Sequence, residues 1–192
     1  MKLGEISEIK TGIVLSRKRA NSEFELVEKY KAIAIRNIEA DGIFNDEPIE
    51  EFESNDELDK DYFTEEGDII IRLSEPHTAV YIDKSKVGLL VPSQFATIKI
   101  EDSRFLPEYV AWYLNLDKVK IELLRHQTGN VMSTTNKNVL SSIDIREIDR
   151  KRQEKIIKYH NLYLKEKGLL NRLIEENEKY YKCISNKLIG GN

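Results

Sequence analysis

The apolar positions along this chain change period partway through. Leu3, Ile6 and Ile9 recur every third residue and predict a short element that ends at Thr11-Gly12. Ile13-Val14-Leu15 predicts the start of a strand ahead of the basic run SRKRAN at 16–21. KAIAIRNI at 31–38 alternates apolar with polar or small residues, as a half-buried strand does, and Asp41-Gly42 after it is a hairpin-type turn signal. Runs rich in β-branched residues at 69–73, 79–82, 86–91 and 95–100 predict further short strands, separated by Ser, Pro, Asp and Lys. Strands at this spacing point to an antiparallel or mixed sheet, not a doubly wound one.

Beyond 105 the period becomes helical. Pro107 suits a first helical turn, and Tyr109, Val110, Trp112, Tyr113 and Leu114 form one apolar face. Asp117 is placed to cap a second helix carrying Val119, Ile121, Leu123 and Leu124, which stops before Gly129. The polar stretch HQTGNVMSTTNKN (126–138) predicts a loop, and VLSSIDIREID (139–149) predicts one more strand. From Lys151 onward no proline interrupts a long charged helix. The fold class expected is α+β: a mixed-sheet domain with short helices over 1–150, then a long helix over 151–190.

Composition narrows this picture. The 192 residues are 40% hydrophobic and 33% charged, which suits a globular domain with an appendage. No run approaches the roughly 20 apolar residues a membrane span needs, and MKLGEISEIK lacks the apolar core of a signal peptide, so a cytoplasmic location is expected. Cys183 stands alone, which excludes an internal disulfide and a cysteine-rich zinc site. The formal charge of −4 is unevenly spread: +2 over 1–40, −12 over 41–68, +1 over 69–150 and +5 over 151–192. The acidic stretch reads as a solvated loop and short helix that would face away from any polyanion.

The stretch GDIIIRLSE (67–75) invites a nuclease reading, which needs an aspartate and then Glu-x-Lys on the next strand to hold a metal. Asp68 is followed by Glu75, but Pro76 and His77 stand where the spacer and lysine belong, and Glu8-Ile9-Lys10 has no aspartate before it. A turn fits better: Gly67 supplies a permissive backbone, Asp68 bonds the backbone just beyond, and Ile69 to Ile71 enter the core. His77, His126 and His160 share no metal-ligand spacing, and no glycine-rich phosphate or cofactor loop follows a strand. The residues therefore offer no catalytic, metal or cofactor site.

What remains is recognition chemistry. Arg17, Lys18 and Arg19 follow an early apolar run, where long cations reach phosphates or a guanine edge, or else form a solvated loop. His126, Gln127, Thr128, Asn130, Ser133, Thr134, Thr135 and Asn136 crowd around Gly129, and such side chains read base edges or fill turns. Arg72, His77, Lys84 and Lys86 flank strand ends.

Counting sevens along the final helix gives Ile156, Tyr163, Leu170, Asn177 and Ile184, partnered four residues on by His160, Lys167, Ile174, Tyr181 and Leu188, with Leu173 beside them. Apolar residues dominate the second half, which predicts a short or imperfect coiled coil, and Asn177 is placed as a register-fixing polar residue. Packing of this helix back onto its own domain stays open. Gly168 costs about 1 kcal/mol relative to alanine inside a helix and marks a bend or break.

In order, the stretches LGEISEIKTG (3–12), YKAIAIRNIEADGIF (30–44), EEGDIII (65–71), FLPEYVAWYL (105–114), HQTGNVMSTTNKNVLSSIDI (126–145) and RQEKIIKYHNLYLKEKGLLNRLIEENEKY (152–180) resemble one half of a type I restriction-modification specificity subunit. The resemblance implies a DNA target-recognition domain over 1–150 that reads one half of a split site in double-stranded DNA. It also implies a helix over 151–190 that sets spacing and docks a methyltransferase subunit, with a restriction subunit as a further partner. Gln153 matches the glutamine that opens that helix. Members usually carry two such units, so the single unit here implies a homodimer or pairing with a different half. They also carry a Pro-rich segment before the helix, which SIDIREIDRKRQ (142–153) lacks. A decoy that occupies the methyltransferase surface without binding DNA is the alternative reading.

Overall fold

The computed structural model describes residues 1–45, 47–125 and 135–190, and the chain divides into two compact units, Met1–Gln153 and Glu154–Asn192. The first unit is built on a four-stranded antiparallel sheet. Its strands are β1 (Ser7–Thr11), β4 (Ile69–Arg72), β5 (Ala79–Tyr81) and β6 (Phe95–Ile100), in the order β1-β6-β4-β5. Ser7 opposes Ile100 and Thr11 opposes Ala96, while Ile69 faces Ile98 and Arg72 faces Phe95. A second sheet pairs β2 (Glu28–Ala32) with β3 (Glu50–Ser54), Tyr30 opposite Phe52.

Ile69, Ile70 and Ile71 are apolar without alternation because both sheet faces are covered, and all three are fully buried. One core cluster joins Ile70 to Ile33, Val80, Ile82, Val91 and Phe95, and another joins Ile13, Ala32, Phe52, Leu58 and Leu90 beside the second sheet. Helix α1 (Leu3–Ile6) leads into β1, and α2 (Pro107–Leu114) packs on β5 and β4. The helices α3 (Asp117–Arg125) and α4 (Lys137–Ser142) follow, and α5 (Arg150–Ile189) is one continuous helix through Gly168. Its 40 residues span about 60 Å at 1.5 Å each. No described helix is long and apolar enough to cross a membrane.

Several expectations are corrected. The strand expected at 31–38 lies at 28–32, because the Asn37 side chain accepts from the Ala34 amide (2.8 Å) and turns the chain into a 3-10 helix at Ile35–Asn37. At 86–91 the chain is extended only around Leu90, which bridges Ala32 and Phe63. Before it, Asp83 caps a 3-10 turn at Lys84–Lys86, and Gly88 has φ +80. Ile13 makes a single bridge to Pro92 before a 3-10 turn at Leu15–Arg17. The segment 139–149 is no strand: Asn136 caps α4 by accepting from the Val139 amide (3.1 Å), and only Asp144 bridges back, to Lys2. The acidic stretch contributes strand β3 and is not merely a solvated loop and helix.

Gly67 does occupy a left-handed turn, φ +94, but the Asp68 carboxylate bonds backward, accepting from the Glu65 amide at 2.7 Å.

Two glycines give opposite expectations. A Cβ on Gly12 would sit 2.3 Å from the Pro92 and Val91 carbonyl oxygens, whereas one on Gly168 meets nothing within 4 Å. We expect Gly12→Ala to destabilise the protein by about 1–3 kcal/mol in urea denaturation, and Gly168→Ala to raise helix content by about 1 kcal/mol of helix propensity, read by circular dichroism. A Gly12→Ala protein as stable as the parent would contradict this packing.

Candidate nucleic-acid interface

The antiparallel order brings the C-terminal ends of β1 and β4 to the same end of the sheet as the starts of β5 and β6. Arg72 lies at this end, its Nε donating to Ser74 Oγ at 2.8 Å. His77 follows in the β4–β5 loop with φ +51, its amide donating to Ser74 O. Leu73 receives the chain at Thr135: Thr135 N donates to Leu73 O at 2.7 Å, and Leu73 N donates to Gln94 O at 2.9 Å. Arg72, His77, Thr135 and Asn136 are thus gathered around one end of β4. Asn136 uses its side chain as the α4 cap. His126, Gln127, Thr128, Asn130, Ser133 and Thr134 lie outside the described residues.

The other candidates are elsewhere. Arg17, Lys18 and Arg19 sit beside the second sheet, where Ala20 N donates to Glu53 O and Asn55 N to Lys18 O. Lys18 pairs with Asp56, and the Arg19 guanidinium lies 5.7 Å from the centre of the Phe52 ring. The acidic segment therefore packs directly on this basic run. Arg17 is exposed. Lys84 and Lys86 follow β5 at the opposite end of the first sheet, and Lys86 lies over Phe44, 5.0 Å from its centre. Lys120, missed by sequence reasoning, donates to Ala40 O at 3.2 Å, and burial holds its ammonium below the usual lysine range. It stands in an amphipathic helix with no motif to mark it.

Gln153 is fully buried. Its Oε1 accepts from Leu106 N (2.8 Å), and its Nε2 donates to Arg104 O (2.8 Å) and Ile148 O (2.9 Å). It thereby supplies an acceptor to the start of α2 and fixes the 148–153 segment. Beyond it the second unit is exposed throughout most of its length. Tyr163, Leu170, Leu173, Ile174, Tyr181 and Leu188 are each more than half exposed. Ile156 is half-buried, Ile184 is 38% exposed and Asn177 is exposed.

The fold also unites residues the sequence kept apart. Glu8, Lys10, Asp61, Glu65, Asp68 and Lys99 line one cavity of about 30 Å³, room for a single water. Lys10 is held by Asp61 (2.8 Å) and Glu8 (3.3 Å), and Lys99 by Glu65 (2.7 Å). Burial pushes the Asp68 carboxyl up while the Glu65 amide opposes the shift. Among the described residues no group of three His, Cys, Asp or Glu side chains is arranged to hold a metal ion.

Burial also pushes the His77 imidazole below its ordinary 6.5, with the Arg72 backbone and Glu75 opposing and the Arg72 and Lys120 charges adding to it. The unfolded chain then binds a proton that the folded chain refuses. Stability is complete above about 6.5 and falls as pH drops from there toward the lower folded value. We expect His77→Asn, which tolerates the positive φ, to flatten this acid limb in urea titrations between pH 5 and 7. An unchanged limb would assign it to other groups.

No family model matches the chain, and no curated protein matches it. Solved structures do. The HsdS subunit from Thermoanaerobacter tengcongensis aligns over 96% of this chain and 46% of its own, with TM-score 0.64 and 15% identity. A chain from a structure of the type I R-M system, described for its complex assembly and conformational transition, aligns over 96% of this chain and 42% of its own, with TM-score 0.62 and 13% identity. The chain therefore spans less than half the length of these neighbours, and its fold is that of one part of an HsdS-type subunit.

Proposed function

We propose that this chain is a specificity component of a type I-like restriction-modification complex, a reader of duplex DNA with no chemistry of its own. The observation that carries the reading is the fold likeness, which takes in domain and helix together over 96% of the chain. In this reading, residues 1–150 read one half of a bipartite site through the loops at the end of β4 and the Arg17–Arg19 turn. Phosphate contacts give most of the affinity, and a few contacts to base edges give the choice. Residues 151–190 set the spacing and dock the methyltransferase subunit, with a restriction subunit joining the same complex. The work is done where the DNA is, in the cytoplasm.

The exposed seam of Tyr163, Leu170, Ile174, Tyr181 and Leu188 supports a homodimer, since a helix does not leave such a row in water without a partner. Two copies about a two-fold axis read a palindromic split site. We expect Leu170→Glu with Ile174→Glu to sediment as a monomer; an unaltered mass would remove this seam from self-association.

Lys18 is already neutralised by Asp56, so Arg17 and Arg19 are the cations of that turn left to meet phosphate. We expect Arg17→Ala with Arg19→Ala to weaken DNA binding and to reduce the slope of log affinity against log salt by about 1 for each phosphate the turn no longer neutralises. A slope that stays the same would take the turn out of the interface. A decoy is separated from a reader by whether the complex with a methyltransferase subunit protects a defined DNA site. A nuclease built on the Asp68 cavity is separated by adding magnesium and DNA to the isolated chain, which we expect to leave the DNA intact.

A further inference from the structure

Phe24 stands outside the core of its own domain. Its ring is 102% exposed, as open to water as in an extended chain, and among the described residues no large apolar side chain is more so. The loop that carries it is nevertheless tied down. Ala20 N donates to Glu53 O (3.0 Å) and Val27 N to Ser54 O (2.8 Å), so both feet of the loop stand on adjacent residues of β3. Between them Glu25 N donates to Ser22 O (3.1 Å), and a 3-10 turn at Glu23–Glu25 carries the ring at the tip. The Glu25 carboxylate reaches back to accept from Asn21 N (2.9 Å) and Asn21 Nδ2 (3.3 Å). A loop bonded at its feet and across its middle holds Phe24 out and keeps it from folding under.

A ring left in water forgoes the transfer free energy that burial would give it, so the tip is built for an occupant. Its surroundings narrow what that occupant is. Asn21, Ser22, Glu23 and Glu25 are exposed and polar or charged, and within the loop only Val27, at the second foot, is also apolar and exposed. The ring therefore projects singly and does not open the continuous apolar face that a protein partner covers. Arg17 and Arg19, both exposed, lie just before the first foot. One projecting ring beside exposed guanidinium groups suits a polyanion made of stacked bases: phosphates meet the cations, and the ring slides between two bases. Glu25 is already engaged by Asn21, whereas the Glu23 carboxylate works against phosphate and gives a sign to test.

We propose that Phe24 is a wedge that enters a base step of duplex DNA and stacks there while the Arg17–Arg19 turn holds the backbone. The inference rests on the reading above and deepens it: phosphate affinity belongs to the turn, and opening of the step belongs to Phe24. The probes are a mixed-sequence duplex of roughly 30 base pairs, about three helical turns, and the same duplex with one central thymine–thymine mismatch, where the stack is already loosened. Each is titrated by fluorescence anisotropy against the full chain at about 50 mM salt. The parent should bind the mismatched duplex about fivefold or more tightly than the matched one, the low end of what base–aromatic stacking contributes. Phe24→Ala should erase that preference while leaving the melting temperature and the slope of log affinity against log salt unchanged, because the ring buries nothing in its own fold and neutralises no phosphate. Phe24→Trp should restore the preference, and Glu23→Gln should tighten binding to both duplexes. Arg17→Ala with Arg19→Ala should weaken both and keep their ratio. A parent that binds the two duplexes equally overturns the wedge and leaves the reader standing; a parent that binds neither removes both. A Phe24→Ala chain that keeps the preference, or that changes only in sedimented mass, assigns the ring to another role and overturns the proposal.

Discussion

Strand β6 is the constraint on which the first unit depends. It pairs with β1 on one edge and with β4 on the other, so Ser7 must meet Ile100 and Ile69 must meet Ile98 before the sheet exists. Both pairings close long stretches of chain, and they succeed because Phe95, Ala96 and Ile98 are fully buried once made. The same register decides where the loops go. Arg72, His77 and the chain returning at Thr135 meet at one end of the sheet because β4 ends where β6 begins.

Charge is distributed by the same closure. Taken as composition, the acidic segment argues against a polyanion partner. In the fold much of it is spent internally: β3 pairs with β2, Glu53 bonds Lys29 at 2.7 Å, Asp56 holds Lys18 and Asp61 holds Lys10. These exposed pairs contribute little stability each. Their effect is on which cations stay available, and the turn at Arg17–Arg19 is left with fewer than its sequence suggests.

Where local chemistry and tertiary contact agreed, the elements were legible in the sequence. Pro107 opened α2, the apolar run at 69–73 became a buried strand, and the long helix formed, although the bend or break expected at Gly168 did not: α5 runs through it, because the helix tolerates the lost propensity of one glycine. The misses share a cause. Asn37, Asp83 and Asn136 each use a side-chain oxygen to satisfy backbone amides, which turned apparent strands into turns or a short helix. Strand β3 was hidden because EEFES alternates acid with apolar or small residues, and acid content was read before alternation. The candidate site was legible only as residue types. Register alone placed Lys84 and Lys86 at the other end of the sheet, and no pattern marked Gln153 as the buried clasp of three backbone groups.

In the function proposed above, a domain with Arg72, His77 and Thr135 gathered at one sheet end and a helix with an exposed apolar seam act as a reader that recruits its chemistry from other chains. That claim concerns sequence choice above all, so the direct test is selection from a randomised duplex library by the purified full-length protein, at stated salt, followed by sequencing. The account predicts enrichment of a split motif, two short elements separated by a fixed gap, with every recovered duplex uncut and unmodified. A pool that stays random while the protein is folded, or one in which the protein alone has cleaved or altered the DNA, would contradict it.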